Sequence, residues 1–216
     1  MTSASTTQSV QSSTSTVLKN TYGLLSLTLI WSAITAYIGM LHPVQGIASL
    51  GLFIASFAVL FATIYFRNSS LGIVFVFAFT GLMGFSLGPL LNHYLNTPNG
   101  TTTVTTALAL TGAMFLSLSA YVHVTKKDFS FMGSFLLISL IGLVVLGLIN
   151  LFFPVPGMSL VLAYASALIF SGYILYDTSD IVSGRETNYI MATVNLYLDI
   201  LNLFTALLRI IGDSDD

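Results

Sequence analysis

The chain has 216 residues, of which six are Lys or Arg and eight are Asp or Glu, so 6% carry charge where a soluble domain shows about 25%. With 55% apolar residues and a mean hydropathy of +0.91, a water-soluble fold is excluded, because it would expose apolar surface on a scale soluble proteins do not tolerate. The absence of cysteine removes disulfides, thiol nucleophiles and cysteine metal sites, and a net charge of -2 offers no basic patch for nucleic acid.

In chain order, residues 1–16 hold eleven Ser or Thr and no charge, which predicts a disordered tail and not a signal peptide, since a basic start and an apolar core are both missing. Three long stretches without charge follow: 47 residues between Lys19 and Arg67, 58 between Arg67 and Lys126, and 48 between Asp128 and Asp177. A span needs about 20 residues, so each stretch holds two. Each is broken near its middle by turn formers: His42-Pro43 with Gly46, the run Asn96-Thr97-Pro98-Asn99-Gly100, and Pro154-Val155-Pro156-Gly157. After the connector Ser183-Gly184-Arg185-Glu186, one last apolar run reaches Ile211.

The expected fold is an all-α integral membrane protein of seven transmembrane helices, at 20–41, 46–66, 71–94, 102–124, 130–152, 158–181 and 189–211. They are arranged as three hairpins around a central seventh helix, giving a membrane domain over 17–212 and an acidic tail over 213–216. Continuous apolar runs of this length exclude a transmembrane barrel.

Lys19, Arg67, Lys126, Lys127 and Arg185 all fall in the N-terminal flank or in the second, fourth and sixth connectors. The positive-inside rule then predicts a cytoplasmic N-terminus and an outside C-terminus, with Arg209 the one dissenting cation.

Most charges lie in flanks and connectors, and Asp180 and Arg209 lie close enough to span ends to reach headgroups or water. Asp177 and Asp199 do not. A carboxylate deep in a span costs roughly 2.5 to 3.5 kcal/mol on insertion scales and usually faces the bundle interior or a water path. Spans six and seven are antiparallel neighbours, and the two carboxyls differ in depth by roughly 5 to 9 Å at 1.5 Å per residue, a gap that helix tilt can close. Two such groups in a low dielectric titrate as a unit. A shared proton would tie the helices together and its loss would separate them, the physics of a pH-gated pore. Asn195, Asp199, Asn202 and Arg209 form one polar stripe on span seven, with the two amides as interhelical packing glue. Arg67 can act as a latch for Asp177. Gly81, Gly84, Gly88 and Pro89 allow close packing and a kink in span three. His42, His93 and His123 lie near the ends of different spans, so no metal cluster follows from them.

The runs Gly172-Tyr173-Ile174-Leu175-Tyr176-Asp177-Thr178 and Asn195-Leu196-Tyr197-Leu198-Asp199-Ile200-Leu201-Asn202-Leu203-Phe204 resemble the sixth- and seventh-helix signatures of the Bax inhibitor-1 (TMBIM) family. So do Phe77-Ala78-Phe79-Thr80-Gly81 through Gly88-Pro89, and Lys127-Asp128-Phe129-Ser130-Phe131. The phrases Val17-Leu18-Lys19-Asn20-Thr21-Tyr22 and Gly184-Arg185-Glu186-Thr187-Asn188-Tyr189-Ile190 are similar to the YccA subgroup of its bacterial members, the aspartate pair matches that of other bacterial members of the YetJ type, and the likeness runs from about Leu18 to Gly212. The resemblance implies a bacterial inner-membrane protein and two functions. One is a pH-sensitive calcium leak gated by the aspartate pair Asp177 and Asp199, with Arg67 at or within one residue of the latch. The other is restraint of the membrane-anchored ATP-dependent protease FtsH. The expected partners are therefore the bilayer, calcium or another cation, and that protease. No cofactor beyond weak, transient calcium at the pair is expected, because two carboxylates fall far short of the six to eight oxygens of a tight site.

Enzymatic readings fare worse. Intramembrane aspartyl proteases also carry a Tyr-Asp dipeptide, but they need Gly-x-Gly-Asp at the second aspartate where this chain has Leu196-Tyr197-Leu198-Asp199, and a later Pro-Ala-Leu that is missing. No lysine within a predicted span can hold retinal, and no histidine lies deep enough to activate a serine.

Overall fold

The computed structural model describes residues 14–44 and 46–213. All regular structure among these residues is helical, and seven helices are long and apolar enough to cross a membrane: α1 (span Thr14–Leu41), α2 (Ile47–Tyr65), α3 (Ser70–Leu95), α4 (Gly100–Thr125), α5 (Gly133–Phe152, entered through a 3₁₀ turn at Ser130–Met132), α6 (Met158–Val182) and α7 (Tyr189–Asp213). The seven expected spans are found, most with ends within two residues of the sequence reading. α1 differs: it reaches back to Thr14 and so takes in Lys19, which stays exposed. The tail expected over 1–16 otherwise lies outside the described residues, as does the acidic tail beyond Asp213.

The third expected hairpin, α5 with α6, packs as a pair, whereas α1 to α4 find their main packing partners outside their expected hairpins. The chain forms two compact units, one of residues 1–98 with 186–197, the other of residues 99–185 with 198–216. In the first, α1 and α2 both pack on α3. Glycine explains why α1 chooses α3 over its hairpin partner. A Cβ placed on Gly88 would run into the backbone of Gly39 and Met40, one on Gly39 would meet the carbonyl of Phe85, and one on Gly84 would meet Ser32. Without side chains there, the two backbones touch, and in lipid such close approach is what holds helices together, because apolar side chains gain nothing by leaving apolar solvent. Trp31 locks the seam by donating its indole N–H to the Phe77 carbonyl at 2.9 Å.

In the second unit α4 and α5 both pack on α6, with Ser119 and Thr178 hydrogen-bonded at 3.2 Å across the buried α4–α6 contact. α7 is shared, its first nine residues belonging to one unit and the remainder to the other. Half of its span is buried, the largest share of the seven.

Candidate functional site

The second unit brings Asp177 and Asp199 together. Asp177 lies five residues before the end of α6 and Asp199 ten residues after the start of α7, so the depth gap anticipated from sequence exists along the helix axes and the side chains close it: the two carboxyls face one another at close range. Asp199 is 4% exposed, Asp177 is half-buried, and Tyr173 stands one turn before Asp177 beside both carboxyls. Asp199 Oδ2 is buried without a hydrogen-bond partner. An ionised carboxylate is an acceptor only. A hydrogen bond between two carboxyls therefore requires a proton on one of them.

The other residues singled out from sequence divide between the two units. Arg67 is exposed just past α2 in the first unit, and its carbonyl accepts a 3.0 Å bond from Asn188 Nδ2. Asn195 is half-buried in that same unit. Asn202, in the second, donates to the Leu198 carbonyl at 2.7 Å; it satisfies its own helix, where the sequence reading expected interhelical glue. Arg209 is exposed. Among the described residues no group of three or more His, Asp or Glu is gathered to hold a metal ion.

Three features escape a reading by charge and depth. Asp180, assigned from sequence to headgroups or water, is engaged by Arg185, whose Nε donates to Asp180 Oδ1 at 2.7 Å. Arg185 Nη2 donates to Asp128 Oδ1 at 2.8 Å and to Ser179 Oγ at 3.0 Å, and Ser179 Oγ also accepts the Phe129 N–H at 3.1 Å. The Ser130 backbone N–H, with Arg185 beside it, holds the Asp128 carboxyl below the usual carboxylate range. The turn that allows this is a helix C-cap: Gly184 adopts φ 74°, so the Arg185 N–H reaches the Asp180 carbonyl at 2.9 Å and the Gly184 N–H the Ile181 carbonyl at 3.1 Å, satisfying carbonyls the helix end leaves open. Glycine after an apolar run, followed by a cation, was the available signal.

The second feature is Asn188, which caps α7 by accepting the Ile190 and Met191 N–H groups at 3.0 Å and binds Asn68 Oδ1 at 2.8 Å, tying the second connector to the start of α7. The third is Tyr197, fully buried. Its hydroxyl pairs with Ser32 Oγ at 2.7 Å and donates to the Thr80 carbonyl at 3.2 Å. Nothing in its sequence neighbourhood marks it.

Comparison with known proteins agrees with this architecture. The sequence model of the family described as "Inhibitor of apoptosis-promoting Bax1" matches residues 14–216. A protein of Vibrio cholerae serotype O1 called "Uncharacterized membrane protein" is 52% identical over 200 residues, 92% of this chain and 90% of that one. An Escherichia coli K12 protein, "Modulator of FtsH protease YccA", is 41% identical over 200 residues, 93% of this chain and 91% of that one. A Pseudomonas aeruginosa protein is 44% identical over 202 residues, 94% and 91% of the two chains. With the family match covering nearly the whole chain and seven apolar helices to carry it, this protein is a multi-pass membrane protein of the Bax inhibitor-1 family.

Proposed function

We propose that the protein is a pH-sensitive cation leak, calcium being the expected ion, gated by the Asp177–Asp199 pair in the bacterial inner membrane. The observation that carries this reading is the close approach of the Asp177 and Asp199 carboxyls between α6 and α7. Two carboxyls held this close are compatible while they share a proton; rising pH removes it and leaves two carboxylates that repel, driving the helix ends apart. Few hard oxygen ligands give weak calcium binding, which suits permeation better than storage. Arg67, the cation that ends the second span, is the latch in this scheme, pairing with Asp177 when the proton leaves. The cation distribution supports a cytoplasmic N-terminus and an outside C-terminus. The pair acts by titration and repulsion, and no catalytic step is assigned to it.

In liposomes, Asp177→Asn and Asp199→Asn are each expected to abolish or shift the pH dependence of calcium flux, since an amide cannot give up the proton. Flux that follows pH identically in wild type and both variants would remove the gate.

A second reading is favoured by the name of the Escherichia coli relative, "Modulator of FtsH protease YccA": this chain binds and restrains a membrane-anchored ATP-dependent protease. The Ser/Thr-rich N-terminal residues, cytoplasmic in the proposed orientation, are the segment such a protease would engage. Co-purification of FtsH with the full chain, lost when residues 1–16 are deleted, is the expected result; undiminished binding by the truncated chain counts against it.

A further inference from the structure

We propose that Arg185 is a positioning residue for the carboxyl pair: it clamps the last turn of α6 to the α4–α5 connector and so holds Asp177 against Asp199. This rests on the pair being the functional contact proposed above.

The clamp has two parts. Through its backbone Arg185 closes the helix cap on the Asp180 carbonyl, and through its guanidinium it holds Asp180, Ser179 and Asp128 together at 2.7 to 3.0 Å. Asp128 belongs to the connector between α4 and α5, and that connector grips the same turn again through the Phe129 N–H on Ser179.

Asp177 and Asp180 are three residues apart on α6 and share a face, so the turn that carries the first is the one fixed through the second. A guanidinium engages two carboxylates and a hydroxyl in one plane, which a lysine ammonium cannot reproduce. Lys127, the neighbouring cation, is turned away over the Tyr121 ring, 5.5 Å from its centroid. It provides a control for charge alone.

Because the chain has no cysteine, the variant Asp177→Cys with Asp199→Cys carries the only thiols, and oxidative cross-linking reports directly how often the two positions meet. Adding Arg185→Gln or Asp128→Asn is expected to slow cross-linking about fivefold, Arg185→Lys to restore it in part, and Lys127→Gln to leave it unchanged. An unchanged rate in both Arg185→Gln and Asp128→Asn overturns the clamp, as does an equal loss in Lys127→Gln, which would make the effect one of net charge. In the cysteine-free chain, Arg185→Gln should raise calcium flux at neutral pH several-fold. Slowed cross-linking with flux indifferent to Arg185, Asp177 and Asp199 alike would leave the clamp standing and remove the leak.

Discussion

Tyr197 and Asp199 are two residues apart on α7, about 200° around the helix, and they do different work. Asp199 meets Asp177 of α6, whereas the Tyr197 hydroxyl, edge-on to Phe79 at 6.1 Å, bonds Ser32 of α1 and Thr80 of α3. The aspartate was legible in the sequence because a charge in an apolar run is anomalous. The tyrosine was not, because aromatic residues are ordinary in such a run and only its partners, 165 and 117 residues away, give it a role. Tyr197→Phe keeps the ring and leaves the buried Ser32 hydroxyl without its partner, so a loss of about 1 to 2 kcal/mol is expected, read as a lower unfolding temperature in detergent. An unchanged temperature would make this hydrogen bond dispensable.

At the scale of the helix, span number and position were readable from the spacing of charges and turn formers, since a bilayer imposes length and apolarity on every span. Which span packs on which was not, because lipid removes the hydrophobic drive between helices and leaves the choice to backbone approach. The glycines of α3 were visible, but their partners were not: Gly84 and Gly88 lie against Ser32 and Gly39 of α1. Gly88→Ala places a methyl against backbone that cannot yield, and a cost of about 1 to 3 kcal/mol is expected. Gly142→Ala in α5, where a Cβ meets nothing within 4 Å, should instead be neutral or stabilising by up to ~1 kcal/mol. Thermal unfolding of the two variants side by side checks the difference in sign.

For the whole molecule, charge placement makes an explicit topological prediction. Five cations in the N-terminal flank and even connectors, against none in the odd ones, place the third connector outside and the sixth inside. The cysteine-free background makes this measurable: Thr97→Cys should react with a membrane-impermeant thiol reagent in intact spheroplasts, and Thr187→Cys only after permeabilisation. The reverse pattern would invert the proposed orientation. By itself the sequence determined the membrane class, the seven spans and the two anomalous carboxyls, because these follow from where scarce charges and turn formers fall along the chain, and its local residue runs carried the family resemblance. Only the tertiary structure decided that the carboxyls meet, that α1 packs on α3, that Arg185 binds two carboxylates the sequence had assigned to solvent, and that Asn202 turns onto its own helix. Each of these is a contact between residues distant in sequence, or a side-chain orientation that such packing selects, and neither is written in local spacing.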